Sequence, residues 1–515
     1  MKIQSLGHSC FIVEIAGDRP EPVRILADPW ITDHVIGDLC GRYPRIRADW
    51  SALAPIDAIY LSHAHTDHLD PYSLLALAKD LPAPPLLLLP ESLTYLAPLL
   101  AEELPAWPQH VLSEGVPLEL HGVEISALFN LETHGTNEDD VMVLVVRNAH
   151  EVLVSEADAI LPFQDPAARE AIASLFVDLD PTSGPVSRVF LTTKNELGGT
   201  MTSLRAANAD ARREAAGESA MGTLGEAEDV LAPVFDEEGD ALAAPWDFEG
   251  VVRLIIGQGI AAPVDHDAEW NRVLFPISLP DRARFESQVA EQYELELPIE
   301  AMLAGEEATI TGGSIERAPV AGLECLDREE DRAFDPDVER FESDFAVAPL
   351  IDTARPVDPQ KERIRAVLNE RFLPWWVGAR NPPVEHLLAR YGGSYRIRVR
   401  YGTSDDFSVE DFIASFARLR FTPTSPTDDP EEIQEEYWAN DLEDYLDGRA
   451  DDFSTFCRRP PGGTATQLWD CLGFPYLNDD LVEKKVRFHF ARAREGFSGA
   501  DWVLPIWRGE VPPGV

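Results

Sequence analysis

A chain of 515 residues is too long for one compact core, and 45% hydrophobic content with scattered Trp and Phe describes a globular protein of two or three domains. No apolar run reaches the length of a bilayer span, and the N-terminus runs straight into strand-like sequence, so neither a membrane span nor a signal peptide is expected. The formal charge of −48 repels phosphate backbones and argues against a nucleic-acid partner. Only six of the 43 basic residues are lysine, so the surface is mainly carboxylate, which fits solubility or a salty cytoplasm more simply than a cationic partner. Five widely spaced cysteines form no CxxC pair, which points away from a disulfide framework and toward a reducing, cytoplasmic location.

In chain order, residues 2–16 alternate as a hairpin interrupted by Gly7-His8-Ser9-Cys10, with Phe11, Val13 and Ile15 on one face. His8 reads first as a hydrogen-bonded histidine beside a site or in the core, and second as a ligand. Val23 to Ala27 is a strand closed by Asp28-Pro29-Trp30, so Asp28 stands at a strand end as a turn residue or on the rim of a site. Asp57 to Leu61 is the next strand, and it stops at Ser62-His63-Ala64-His65-Thr66-Asp67-His68. That loop delivers three imidazoles and a carboxylate to the edge of a core. His63 and His65 share a side while the chain is extended, and Asp67 and His68 follow the turn, where they can serve a second ion. Imidazole and carboxylate ligands without thiolate suit zinc, iron or manganese.

A helix is expected from Leu69 to Asp80, with Pro71 near its start, then a strand from Pro85 to Leu89 and a helix from about Ser92 to Glu103. This alternation predicts an α/β scaffold. Strand Val123 to Phe129 leads to His134, a strand follows from Val141 to Val146, and Val152 to Val154 ends in Ser155-Glu156-Ala157-Asp158. Arg188 to Thr192 precedes Gly198-Gly199-Thr200, a helix start that could hold an anion, and Val251 to Ile256 precedes His266. The expected division is a metal-binding catalytic domain over 1–290, an extension and acidic linker over 291–359, and a C-terminal α+β domain over 360–515. That last part carries helices near 360–370 and 431–447 and a strand at 395–401, and is assigned to substrate or partner binding.

The arrangement His63-X-His65-X-Asp67-His68 resembles the signature of the metallo-β-lactamase superfamily. Leu6 to Phe11 and Ile25 to Trp30 resemble its ascorbate-6-phosphate lactonase-like branch. Asp28-Pro29-Trp30-Ile31-Thr32, Asp49-Trp50, Ile59 to His63, the His134 loop and Gly198-Gly199-Thr200 are similar to the catalytic portion of the CMP-N-acetylneuraminate hydroxylases. The resemblance implies an αββα sandwich holding two divalent metal ions. By position, His63, His65 and His134 hold the first ion, and Asp67, His68 and His266 the second. Either Glu156 or Asp158 bridges, because Ser155-Glu156 stands where the family has Gly-Asp. Asp67 and His134 are the catalytic candidates, Asp67 by positioning an attacking hydroxide.

Two such ions carry a bridging hydroxide and polarise the bond under attack, which implies hydrolysis of a small ester, lactone or phosphoester, with zinc first and iron or manganese as alternatives. With iron the same cradle can activate dioxygen, so a diiron oxygenase supplied by a separate electron-transfer partner is the second reading. Animal hydroxylases of this family carry a Rieske domain. The paired Cys-X-His ligands such a centre needs are missing from this chain, which favours hydrolysis. A metal-stabilised binding protein is the third reading.

Overall fold

A computed structural model describes residues 1–35, 40–129, 141–159, 165–177, 184–194, 250–257, 279–295, 297–327, 349–372, 395–415, 420–429, 435–449, 479–507 and 510–514, with a few short pieces between them. His134, His266, His386 and the Gly198-Gly199-Thr200 turn lie outside the described residues.

Alternating faces decide the layers. In the strand Val23–Ala27, Val23, Ile25 and Ala27 enter one core and Leu26 the other; in Ala58–Tyr60, Ala58 and Tyr60 enter the first and Ile59 the second. The first core lies between two sheets. One has eight strands in the order Ser314–Pro319, Glu306–Thr311, Lys2–Gly7, Cys10–Ile15, Val23–Ala27, Ala58–Tyr60, Leu86–Pro90 and Gln109–Leu112. The other has seven, in the order Leu118–Leu120, Val123–Phe129, Met142–Arg147, Glu151–Ser155, Ser187–Lys194, Val251–Gly257 and Ile299–Ala301. Helices cover both outer faces. Leu74 and Leu77 of Pro71–Asp80 pack on Ile59 and Leu87 on one side, and Ile172 and Val289 pack on Val154 and Phe190 on the other. This is the expected αββα sandwich, and each fully buried leucine in it contributes about 1.5–3 kcal/mol.

Each sheet is antiparallel in one half and parallel in the other. Val23–Ala27, Ala58–Tyr60 and Leu86–Pro90 run parallel, as do Glu151–Ser155, Ser187–Lys194 and Val251–Gly257. Parallel strands bring their carboxyl ends to one edge, where loops can converge. Glu306–Thr311 pairs with Lys2–Gly7 in the register Ile3 to Ala308, so the first sheet extends past residue 290.

In the C-terminal part, Arg420–Thr424, Phe407–Ser415, Arg396–Gly402, Glu435–Trp438 and Cys457–Arg458 form a five-stranded sheet. The expected helix over 431–447 is here a strand followed by the shorter helix Ala439–Leu446. Helix propensity in the Glu-rich stretch loses to pairing across strands. Glu436 meets Arg400 at 2.8 Å, and buried Trp438 meets Phe407 edge to face with centroids 5.3 Å apart. A later helix, Asp479–Arg494, returns to the first domain: Arg494 bonds Glu103 at 2.8 Å, and Val482, Val486 and Phe490 join the core containing Leu61, Leu69 and Leu74. Among the described residues no helix is long and apolar enough to cross a membrane.

Candidate metal centre

The loop begins where the Ala58–Tyr60 ladder stops. Asp70 caps the following helix, accepting from the backbone N–H groups of Tyr72 and Ser73, with Pro71 at the first helical position as expected. Between strand and helix, the N–H groups of His68 and Leu69 both bond the His65 carbonyl, at 3.1 and 2.7 Å. The turn brings the imidazoles of His63, His65 and His68 together, with the His63 centroid 4.1 Å from each of the others. All three rings are buried.

Asp28 sets the orientation of two of them. It stands at the end of Val23–Ala27 with φ +41°, and its carboxylate accepts from Ser62 N–H at 2.7 Å, Ser62 Oγ–H at 2.7 Å and His68 Nδ1 at 2.9 Å. The one hydroxyl proton of Ser62 goes to Asp28, so its contact of 2.8 Å with His63 Nδ1 must be accepted by the oxygen. Both histidines then carry a proton on Nδ1, which leaves Nε2 as the atom that would face a metal, once His68 has given up its second proton in favour of the ion. On the other side, His8 Nε2 is 2.6 Å from Asp67 Oδ2, and its ring stands edge-on to Trp30. His8 thus hydrogen-bonds the loop through Asp67.

Of the two candidate bridging carboxylates, Asp158 reaches the histidines: Oδ2 lies 2.9 Å from His68 Nε2 and 3.9 Å from His63 Nε2. Glu156 is buried one turn earlier, its backbone N–H on Leu191 and its carbonyl accepting from Ala159. The turn between them passes through Ala157 at φ +49°. Ligand atoms of His63, His68 and Asp158 all lie within 4.8 Å of one another, and so do those of His8, Asp67 and His68. His63, His65, Asp67, His68 and Asp158 are therefore brought to one place.

Electrostatics fit a cation there. Burial drives His63 well below its ordinary value, helped by the charge of His68, and lowers His65 to about 4. His68 runs the other way, because Asp158, Asp67 and Asp28 outweigh its burial and hold it well above the usual range. Burial pushes the Asp67 and Asp158 carboxyls up, but His68 outweighs this, aided at Asp67 by its bond to His8, and holds both below. A proton on His68 thus balances the carboxylates, a role a divalent ion would take over. His63 Nε2, buried with no hydrogen-bond partner among the described residues, fits the same conclusion. The orienting role of Asp28 was legible only as one of two options, the signal being its place at the end of a strand parallel to the one feeding the loop.

Residues 2–168 match the model of the beta-lactamase superfamily domain. A protein of Mycolicibacterium smegmatis named as a Rieske 2Fe-2S iron-sulfur protein is 32% identical over 94 residues, and one of Mycobacterium tuberculosis with the same kind of name is 31% identical over the same length. Each match covers 17% of this chain and 17% of the relative, so the chain spans about a sixth of the curated relatives it matches. Among solved structures, the chain is similar to CmlA, a diiron beta-hydroxylase from Streptomyces venezuelae, at 15% identity and TM-score 0.34 over 59% of this chain and 52% of that one. It is also similar to Zn(2+)-bound PqqB from Methylobacterium extorquens, at 12% identity and TM-score 0.31 over 59% and 99%. Residues 2–168 are thus similar to the beta-lactamase superfamily domain, and the two sheets they enter form an αββα sandwich.

Proposed function

We propose that this chain is a dinuclear metal-dependent hydrolase of a small ester, lactone or phosphoester. The observation that carries the reading is the convergence of His63, His68 and Asp158 within 4.8 Å, beside the His8–Asp67–His68 group sharing His68. In this reading His63 and His65 hold one ion, Asp67 and His68 the other, and Asp158 lies between them, a role the geometry favours over Glu156. His134 and His266 are proposed as the remaining ligands, one for each ion. Two divalent ions bound there would acidify a water and polarise the electrophile, which is what hydrolysis requires. Asp28 and Ser62 keep the Nε2 lone pairs of His63 and His68 directed at the metals. His8 holds the Asp67 carboxylate in place, and burial of the loop keeps His63 and His65 neutral and able to ligate.

A second reading, a diiron oxygenase served by a separate electron-transfer protein, draws support from the Rieske names of the curated relatives. The full chain expressed in medium containing both iron and zinc separates the two. Zinc in the protein with lactone, ester or phosphoester turnover supports hydrolysis. Iron with an oxygen-sensitive optical band and no such turnover refutes it.

A further inference from the structure

The helix Asp479–Arg494 buries a cation beside aromatic rings. Arg492 is 3% exposed, and its guanidinium carbon lies 5.7, 4.5 and 5.1 Å from the ring centroids of Phe488, Phe497 and Trp502. Nη1 donates to the Pro513 carbonyl at 2.6 Å. Nε and Nη2 are buried with no hydrogen-bond acceptor among the described residues, and Arg492 forms no ion pair among them. The Asp501 carboxylate, on the helix that carries Trp502, accepts instead from Ser498 N–H and Oγ–H at 2.8 and 2.7 Å. The Tyr72 hydroxyl, 3.3 Å from His489 Nδ1, belongs to the same group: burial raises its pKa to about 12 against the pull of the Arg492 charge.

A buried guanidinium without a counter-charge is costly, and the two donors at stake identify what would relieve it. Nε–H and the adjacent Nη2–H point the same way from one edge of the guanidinium plane, matching the two oxygens of a carboxylate. The chain uses this edge repeatedly. Nε and Nη2 hold Asp327 at 3.0 and 2.8 Å on Arg45, Asp411 at 2.7 and 3.0 Å on Arg398, and Glu436 at 2.8 and 2.9 Å on Arg400. At Arg492 the same edge is buried among aromatic rings, and no described residue takes it. A phosphate group, with about −1.5 to −2 charges, overshoots a single guanidinium, whereas one carboxylate balances it.

We propose that Arg492, with the Tyr72 hydroxyl, is a binding site for a small organic carboxylate whose apolar body lies against Phe488, Phe497 and Trp502. The inference does not rest on the metal-centre reading, because none of these residues is among the proposed ligands. A bound carboxylate would neutralise the cation and tie the last helices of the chain to the first turn of Pro71–Asp80, which starts directly after the metal loop.

The test is titration calorimetry on the full chain in zinc-containing buffer, with acetate, benzoate and inorganic phosphate as separate probes. Arg492→Met and Arg492→Lys are measured beside the unmodified protein. We expect the unmodified protein to bind benzoate at least about tenfold more tightly than phosphate, and both variants to lose about tenfold or more in benzoate affinity, since an ammonium keeps the charge but lacks the fork. Equal benzoate affinity in Arg492→Met overturns the inference, because the carboxylate is then held elsewhere, the metal centre included. Arg492→Lys binding benzoate as the unmodified protein does refutes the fork, and phosphate binding as tightly as benzoate refutes the assignment to a carboxylate. An unmodified protein that binds neither acetate nor benzoate overturns the site itself. Should the variants not fold, crystals of the unmodified protein grown with 4-bromobenzoate decide the matter. A bromine anomalous peak beside the aromatic rings, with the carboxylate on Nε and Nη2 of Arg492, is expected; no such peak at Arg492 refutes the inference.

Discussion

An Asp28→Asn substitution keeps the shape of the side chain and removes the charge that aligns two histidines. Asp28 accepts three hydrogen bonds, from Ser62 N–H and Oγ–H at 2.7 Å each and from His68 Nδ1 at 2.9 Å. An asparagine offers one carbonyl oxygen in their place. If that oxygen stays on Ser62 N–H, the amide NH2 faces the Ser62 hydroxyl and His68 Nδ1. His68 must then move its proton to Nε2 and lose the lone pair a metal needs, and Ser62 no longer fixes the His63 tautomer. If the amide is rotated, Ser62 N–H is left buried without an acceptor. Loss of an orienting partner of this kind weakens metal binding about 10- to 100-fold, or about 1.4–2.7 kcal/mol. The assay is zinc competition against a chromophoric chelator at neutral pH, with far-UV circular dichroism confirming the fold. A variant that binds zinc within about twofold of the unmodified protein refutes the orienting role of Asp28.

Glu286 is buried between Arg253 and Arg282, at 2.6 and 2.8 Å, and although burial pushes its carboxyl up, the two guanidinium groups hold it down to about 2. The stabilisation is therefore complete above the ordinary value of 4.5 and lost as pH falls from there through about 2, amounting to about 3 kcal/mol. Glu286→Gln should lose about 3–5 kcal/mol in urea unfolding at pH 7, and the gap from the unmodified protein should narrow below pH 4 or so; a gap independent of pH contradicts the assignment. Gly448 has φ +75°, and a Cβ there would stand 2.6 Å from the backbone nitrogen of Lys485. Gly448→Ala should thus destabilise the chain by about 1–3 kcal/mol in thermal unfolding, and an unchanged transition would show that the Asp479–Arg494 helix yields freely. Leu74→Ala, in the core shared with Val482 and Phe490, should cost about 2–5 kcal/mol, and a loss below about 1 kcal/mol would mean that this interface collapses to fill the space.

How far the sequence could be read follows the range of the interactions. Strands with alternating or continuous apolar residues, such as Val23–Ala27 and Val123–Phe129, stand where expected, because their faces are set by neighbours along the chain. The metal loop was legible for the same reason: strand stop, histidine cluster and Pro71 helix start are all local. Glu435–Trp438 was misread because Glu-rich sequence favours helix locally, and only Arg400 and Phe407, brought near by the fold, make it a strand. Choosing Asp158 over Glu156 required the turn at Ala157, whose positive φ no residue type announces. The docking of the Asp479–Arg494 helix left no trace in the sequence, because contacts such as that of His489 with Tyr72 span more than four hundred residues.

The central claim is that His63, His65, Asp67, His68 and Asp158 hold a pair of metal ions. Anomalous scattering from crystals grown with zinc tests it most directly. The account predicts a pair of neighbouring peaks, one against His63 and His65, the other against Asp67 and His68, with the Asp158 carboxylate between them. A single peak, or peaks located away from these side chains, would contradict it.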